Sequence, residues 1–206
     1  MALIAVLSLS ACSRTYSAVL HTRTDPTPVN PVLGVTVVVI DGLTVETQRG
    51  LGEDAAECVT AAISRMRQAR LIPAKQCQRT VMPDLSRASA PLDRESLGTL
   101  TKDAAFRTRA ATAGIRYIIA VGGYTHMSDA DLQSIILAFR WQRTTTLVAE
   151  IVDVASGESL GRVDVSVNGS ADWVVHMFPI GTFAFTESKA CRKLGSGVVD
   201  FLGKGS

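Results

Sequence analysis

The run Val35-Thr36-Val37-Val38-Val39-Ile40 limits the possible folds of this chain more than any other feature. It is β-branched throughout, and such side chains suit a pleated strand. It lacks the polar alternation of a half-exposed strand, so both of its faces must be covered. Asp41-Gly42 stops it. A second buried strand is predicted over Ile115 to Val121, closed by Gly122-Gly123. Arg116 and His126 bracket the Ile118-Ile119-Ala120-Val121 segment, and no later run approaches twenty apolar residues. These are core strands that need covering layers.

The layers are legible as helical stripes. From Gly52 to Arg70, Ala55, Val59, Ala62, Ile63 and Met66 recur at three- and four-residue spacing, and Pro73 ends the element. A second helix is predicted from Arg94 to Ala113, capped by Asp93, with Leu97, Leu100, Ala104 and Ala111 inward and Gly114 as its stop. A last helix starts with Thr186 as its cap and carries Ala190, Cys191, Leu194, Val198 and Leu202 on one stripe. Strands are predicted at Ser134 to Trp141, Thr145 to Val154 and Leu160 to Val167, with a loop around Ser128-Asp129. Ser156-Gly157-Glu158 is a hairpin signal, and Val163, Val165 and Val167 should face inward with Asp164 and Ser166 outward. Residues 74–92 read as polar connection with one short strand around Val81. Trp173 to Phe185 is apolar and aromatic but broken by Pro179 and Gly181, a packed crossing segment or irregular edge strand. This order predicts an α+β fold, a single domain whose mixed, mostly antiparallel sheet is packed by about three helices.

At 206 residues, 47% hydrophobic and 19% charged, the chain is ordinary for one globular core. Lys+Arg number 21 against 19 for Asp+Glu, and they are scattered, so the clustered basic face of a nucleic-acid binder is missing.

Met1 to Leu9 is an uncharged apolar run that ends in Leu9-Ser10-Ala11-Cys12. About ten such residues are too short to span a bilayer but right for a signal-peptide core. The Leu-Ser-Ala-Cys ending resembles the lipobox of bacterial lipoproteins. The resemblance implies cleavage between Ala11 and Cys12, a diacylglyceryl group on the Cys12 sulfur, and acylation of the new amino group. Residues 1–11 would then be a signal peptide, 12–31 a lipidated cysteine on an extended tether rich in Thr and Pro, and 32–206 an α+β periplasmic domain. Two or three acyl chains, each contributing about 0.8 kcal/mol per buried methylene, hold lastingly. In Gram-negative lipoproteins an Asp after the Cys commonly retains the protein in the inner membrane. Ser13 stands there instead, which implies the outer membrane with the body facing the periplasm, or the cell surface in a single-membrane host. No Lys or Arg precedes the apolar run, so the start is expected a few codons upstream.

Lipidation of Cys12 leaves Cys58, Cys77 and Cys191. An oxidising compartment permits pairing, and Cys58–Cys77 is the closer pair in sequence. Closing that loop would stabilise by about 3 kcal/mol in the chain-entropy picture. The alternative is three small buried apolar residues. His21, His126 and His176 show no helical spacing to one another or to a cysteine, so no metal or catalytic cluster is expected. A spatially assembled site would need Cys58 or Cys191 as nucleophile and His126 or His176 as base. Gly195-Ser196-Gly197 lies inside a helix and is no nucleophile elbow; its glycines suit close helix packing. Arg49-Gly50-Leu51-Gly52 lacks the remainder of a phosphate loop. Asp129 and Asp131 read as a solvated turn, without the Gly and Glu of a calcium loop. No catalytic residue, metal ligand or cofactor is therefore expected.

Two phrases resemble a wider group. Ala113-Gly114-Ile115-Arg116-Tyr117-Ile118-Ile119-Ala120-Val121-Gly122 and Ala149-Glu150-Ile151-Val152-Asp153-Val154-Ala155-Ser156-Gly157-Glu158 are similar to the "helix end, Gly, strand, Gly" and "strand, Asp, Gly-containing turn" of a periplasmic lipoprotein superfamily. It includes the curli-secretion lipoprotein, the outer-membrane activator lipoprotein of penicillin-binding proteins and the amino-terminal domain of TolB. The resemblance spans about Gly34 to Gly203 and implies action by partner binding or self-association in envelope assembly or maintenance, not by chemistry. A lipid-anchored envelope hydrolase with a Cys–His or carboxylate site is the alternative. Tyr124, Trp141, Trp173 and Phe178 fall at strand ends or in irregular segments, where aromatics commonly plug the core; with the Trp173 to Phe185 segment exposed, Trp173 and Phe178 are the expected protein-partner surface.

Overall fold

A computed structural model describes residues 13–22, 31–39, 45–66, 69–83, 92–133, 138–174 and 185–203. Strand β1 spans Ser13–Thr22 and β2 Val32–Val39; helix α1 follows at Val45–Ile63. Then come β3 (Arg70–Ile72), α2 (Ala74–Val81), β4 (Leu92–Asp93), α3 (Arg94–Lys102) and α4 (Ala104–Thr112). Three long strands, β5 (Tyr117–Gln133), β6 (Ala138–Asp153) and β7 (Ser159–Val174), lead to α5 (Phe185–Gly203). The sheet runs β1-β7-β6-β5-β2-β3, with β4 pairing with the end of β2. Strands β3, β4 and β5 pair parallel to β2, while β5/β6, β6/β7 and β7/β1 are antiparallel. This is the mixed α+β sheet the sequence predicts, with five described helices where about three were expected.

The two-sided burial of β2 and β5 organises everything else. On one face, Leu33, Val35, Tyr117, Ile119, Val121, Leu147, Ala149, Ile151, Val163, Val165 and Val167 pack under α1 and α5. On the other face, Ile118, Ala120 and Val152 pack with Cys77, Val81, Leu97, Phe106 and Ala110 from α2, α3 and α4. Most of the predicted stripes of α1 and α5 hold: Ala55, Val59 and Ile63, and Ala190, Leu194, Val198 and Leu202, are buried, while Ala62 and Cys191 are half-buried and Met66 lies beyond α1, which ends at Ile63 and not at Arg70. Gly52 lets α1 lie close on β2, since a Cβ there would stand 2.7 Å from Val37 Cγ1.

Several expectations are corrected. Residues 13–22 are not tether but β1, paired with β7 from Ser13↔Gly169 to Thr22↔Gly161; the polar, Thr-rich sequence hides a strand because its pairing partner lies some 140 residues away. Residues 74–81 form a helix, not polar connection with a strand. The single helix predicted from Arg94 to Ala113 is two. Asp103 takes an extended conformation (φ −67°, ψ 130°) and its Oδ1 accepts from Phe106 N at 2.8 Å, capping α4. The break turns Phe106 and Ala110 inward and leaves Ala104 and Ala111 exposed. Asp93 lies in β4, and Thr186 sits inside the first turn of α5, one residue past its start. The described part of the strand predicted at Ser134 to Trp141, from Ala138, is continuous with the one predicted at Thr145 to Val154 in a single strand, β6, and the loop expected at Ser128-Asp129 lies within β5.

Gly114 does end its helix. At φ +73° it completes a Schellman turn, with Ile115 N donating to Ala110 O and Gly114 N to Ala111 O. The β6–β7 hairpin turns as expected at Gly157 (φ +71°), whose N–H donates to Asp153 O, while Asp153 Oδ1 accepts from Ala155 N.

Candidate interaction surface

The cysteines settle first what this chain can do chemically. Cys58 on α1 is bridged to Cys191 on α5, with Cα atoms 5.7 Å apart, and not to Cys77 as proximity in sequence suggested. The reason is layering. Helices α1 and α5 lie side by side on one face of the sheet, held close because Gly195 faces Ala62 and the Cys58 carbonyl; Cys77 packs against Gly34 on the opposite face. The sheet itself separates Cys58 from Cys77. Burial pushes the Cys77 thiol up from 9.0 to about 12, so it stays protonated and unreactive.

Two of the three histidines lie on described strands. His126 is exposed on β5 and pairs in register with Thr144; His21 lies on β1 opposite Arg162. Along β7 those two rows are six residues apart, roughly 20 Å at about 3.3 Å per residue. His176 lies outside the described residues, as do Asp41 and Phe178. Asp129 and Asp131 fall at a register irregularity in β5, not in a turn. Arg49 to Gly52 lie inside α1, so no loop is there to cradle a phosphate. Among the described residues no group of three His, Cys, Asp or Glu side chains could hold a metal.

What the fold does present is surface of two kinds. The first is a three-stranded ribbon. Beyond Val121, the last β5 residue paired to β2, strands β5 and β6 continue together to Gln133↔Ala138, and β6 stays paired with β7 to Ala138↔Val174. Twelve residues of β5 follow Val121, about 40 Å of strand at ~3.3 Å per residue. At its base a polar network ties the ribbon to α5. Buried Thr145 Oγ1 donates to Thr186 Oγ1 at 3.0 Å, Thr125 Oγ1 lies 3.3 Å from Thr145 Oγ1, and Arg143 pairs with Glu187. Gly123 belongs to this junction, because a Cβ there would stand 2.8 Å from the Thr146 carbonyl oxygen. Tyr124 is half-buried there, and Trp173, expected in an irregular crossing segment, lies in regular pairing near the end of β7.

The second surface is the open side of the sheet. Helices α2 to α4 pack on β2, β5 and the end of β6, and among the described residues no residue of β7, whose same face bears Arg162, Asp164 and Ser166, belongs to that second core. These three are half-buried, with Arg162 Nε 2.9 Å from Asp164 Oδ1 and Thr146 Oγ1 3.4 Å from Ser166 Oγ. Strand β1 forms the adjacent sheet edge, and no strand pairs with its outer side among the described residues. Sequence reading missed this edge. The Tyr16-Ser17-Ala18-Val19-Leu20 stretch carried the signal, but the surrounding Thr and Pro residues masked it.

Among the described residues no helix is long and apolar enough to cross a membrane. No family model and no curated protein sequence matches the chain. Among solved structures it is similar to the PelC dodecamer from Paraburkholderia phytofirmans, at 11% identity and TM-score 0.36, over 93% of this chain and 98% of that one. It is also similar to a neuraminyllactose-binding hemagglutinin homolog from Helicobacter pylori (8% identity, TM-score 0.42, 91% of each chain). A third similarity is to lipoprotein GNA1162 from Neisseria meningitidis (14% identity, TM-score 0.39, 85% of this chain and 99% of that one). With TM-scores below 0.5 throughout, the functional reading rests on this chain's own residues.

Proposed function

We propose that this chain is a lipid-anchored envelope protein that works without chemistry, by binding a protein partner or a second copy of itself. In this reading Cys12 carries the acyl chains, and the body faces the periplasm from the outer membrane. The observation that carries the binding role is β1, a ten-residue strand with one edge on β7 and no strand on the other among the described residues. Such an edge offers a row of backbone N–H and C=O groups that an incoming strand can take up. The Cys58–Cys191 bridge supports an oxidising compartment. It also occupies both thiols that the hydrolase alternative would use as nucleophile.

Two measurements test the proposal. A fatty-acid analogue should label the wild type and not Cys12→Ser; equal labelling of both would refute the anchor. Affinity capture from detergent-solubilised envelopes should recover a discrete partner or further copies with the wild type, and less with Cys12→Ser. A chain that is monomeric and recovers nothing specific would refute the binding role.

A further inference from the structure

Chain order and native pairing of the cysteines disagree. Cys58, Cys77 and Cys191 follow one another in that order, yet the bridge joins the first to the third, 133 residues apart, and leaves Cys77 between them as a thiol. Cys58 and Cys77 are only 19 residues apart. In an unfolded chain the chance that two residues meet falls as about the 3/2 power of the loop between them. The roughly sevenfold shorter loop therefore closes about twentyfold more often. Oxidation ahead of folding selects Cys58–Cys77.

The fold has no place for that pair. A disulfide needs Cα atoms within about 7 Å of each other. Cys58 lies on α1, whose Ala55 and Val59 pack on one face of the sheet. Cys77 lies on α2 and is fully buried on the other face, beside Gly34 of β2, where a Cβ would stand 2.6 Å from the Cys77 sulfur. The sheet passes between the two layers. A chain held as Cys58–Cys77 can seat α1 or α2 but not both, and either loss leaves one of the two cores open.

We propose that this chain is a substrate of a thiol–disulfide isomerase, which opens a Cys58–Cys77 bridge made early in oxidation and delivers Cys58 to Cys191. Forming the early bridge passes two electrons and two protons from the Cys58 and Cys77 thiols to the disulfide of a dithiol oxidoreductase. The isomerase thiolate then attacks the Cys58 sulfur. The bond to Cys77 breaks, and Cys77 leaves with the electron pair and takes up the proton that Cys191 gives up. The Cys191 thiolate attacks the same Cys58 sulfur and expels the isomerase thiolate. One S–S bond forms for each one broken, so the exchange consumes no further oxidant. Burial closes the route back: inside the second core the Cys77 thiol is pushed up to about 12 and is withheld as a nucleophile.

This requires an oxidising compartment whether or not Cys12 is acylated, and replacing Cys12 by Ser removes that thiol from the test. The full-length Cys12→Ser chain, reduced and unfolded in denaturant, is diluted into native buffer with an oxidised dithiol oxidoreductase, alone or with a disulfide isomerase. Free thiols are trapped with iodoacetamide at intervals, and the bridged peptides are mapped by mass spectrometry. With oxidant alone, Cys58–Cys77 should exceed Cys58–Cys191 at least about tenfold at the earliest times. Isomerase should speed arrival of the Cys58–Cys191 bridge at least about fivefold. With Cys77→Ala added, that bridge should form at one rate with and without isomerase. Cys58–Cys191 as the first bridge in the chain that keeps Cys77 would overturn the proposal without recourse to the second variant. Equal acceleration of both chains by the isomerase would overturn it too.

Discussion

Tyr117 to Val121 of β5 are at most 4% exposed, whereas β7 alternates buried Val163, Val165 and Val167 with half-buried Arg162, Asp164 and Ser166. One half of the sheet is sandwiched between two helical layers and the other is covered on one face. The difference shows in the choice of residues. Where both faces are dry the strand is apolar at every position; where one face meets water the pattern falls to period two. The single-layered half is also the half that carries the free edge and the ribbon.

The sharpest way to break this comparison is to remove packing from each half in turn. Phe106→Ala, in the layer that covers only the sandwiched half, should cost about 3–5 kcal/mol by denaturant unfolding, since Phe106 is fully buried. A loss below about 1 kcal/mol would mean that α4 does not cover the sheet as described. Next, replacing Cys58 and Cys191 together by Ser should cost about 2–4 kcal/mol. The mobility difference between reduced and oxidised chain should vanish in either single variant and persist in Cys77→Ser; dependence on Cys77 would put the bridge across the sheet.

Gly195→Ala should cost about 1–3 kcal/mol, because its Cβ would stand 2.8 Å from Ala62 and 3.3 Å from the Cys58 carbonyl oxygen. A neutral Gly195→Ala would show that α1 and α5 can part freely. The buried thiol adds a pH test. With Cys77 raised from 9.0 to about 12, the unfolded chain loses this proton first. Its contribution to stability is therefore complete below about pH 9 and is lost as pH rises toward 12. Cys77→Ala should flatten that alkaline slope, and native Cys77 should resist alkylation at pH 9 until denaturant is added. Rapid native alkylation would contradict its burial. The smallest effect belongs to the open face, where Arg162→Ala should change stability by less than about 1 kcal/mol, as for other half-exposed ion pairs. A larger loss would mean that something covers that face after all.

Local pattern recovered the elements whose energetics are local. The stripes of α1 and α5, the Gly114 stop and the Gly157 hairpin were readable because each depends on residues within a few positions of one another. The Asp103 break was not: Asp favours caps over helix interiors, but a lone Asp within a helical period costs at most about 0.7 kcal/mol, so the packing of Phe106 in the core under α4 was needed to show two helices. Helix α2 was missed because its burial rests on two positions, Cys77 and Val81, too few to establish a period. Of the anticipated surface, Trp173 is placed in the ribbon and Phe178 falls outside the described residues.

The sequence by itself determined that two strands would be dry on both faces and that helices must cover them, because burial of β-branched runs admits no other arrangement. It also carries the Leu9-Ser10-Ala11-Cys12 ending on which the lipid-anchor proposal rests. Only the tertiary structure decided which cysteines meet and that residues 13–22 close the edge of the sheet. Those outcomes depend on distance in space between segments far apart in the chain, which no local period of side chains encodes.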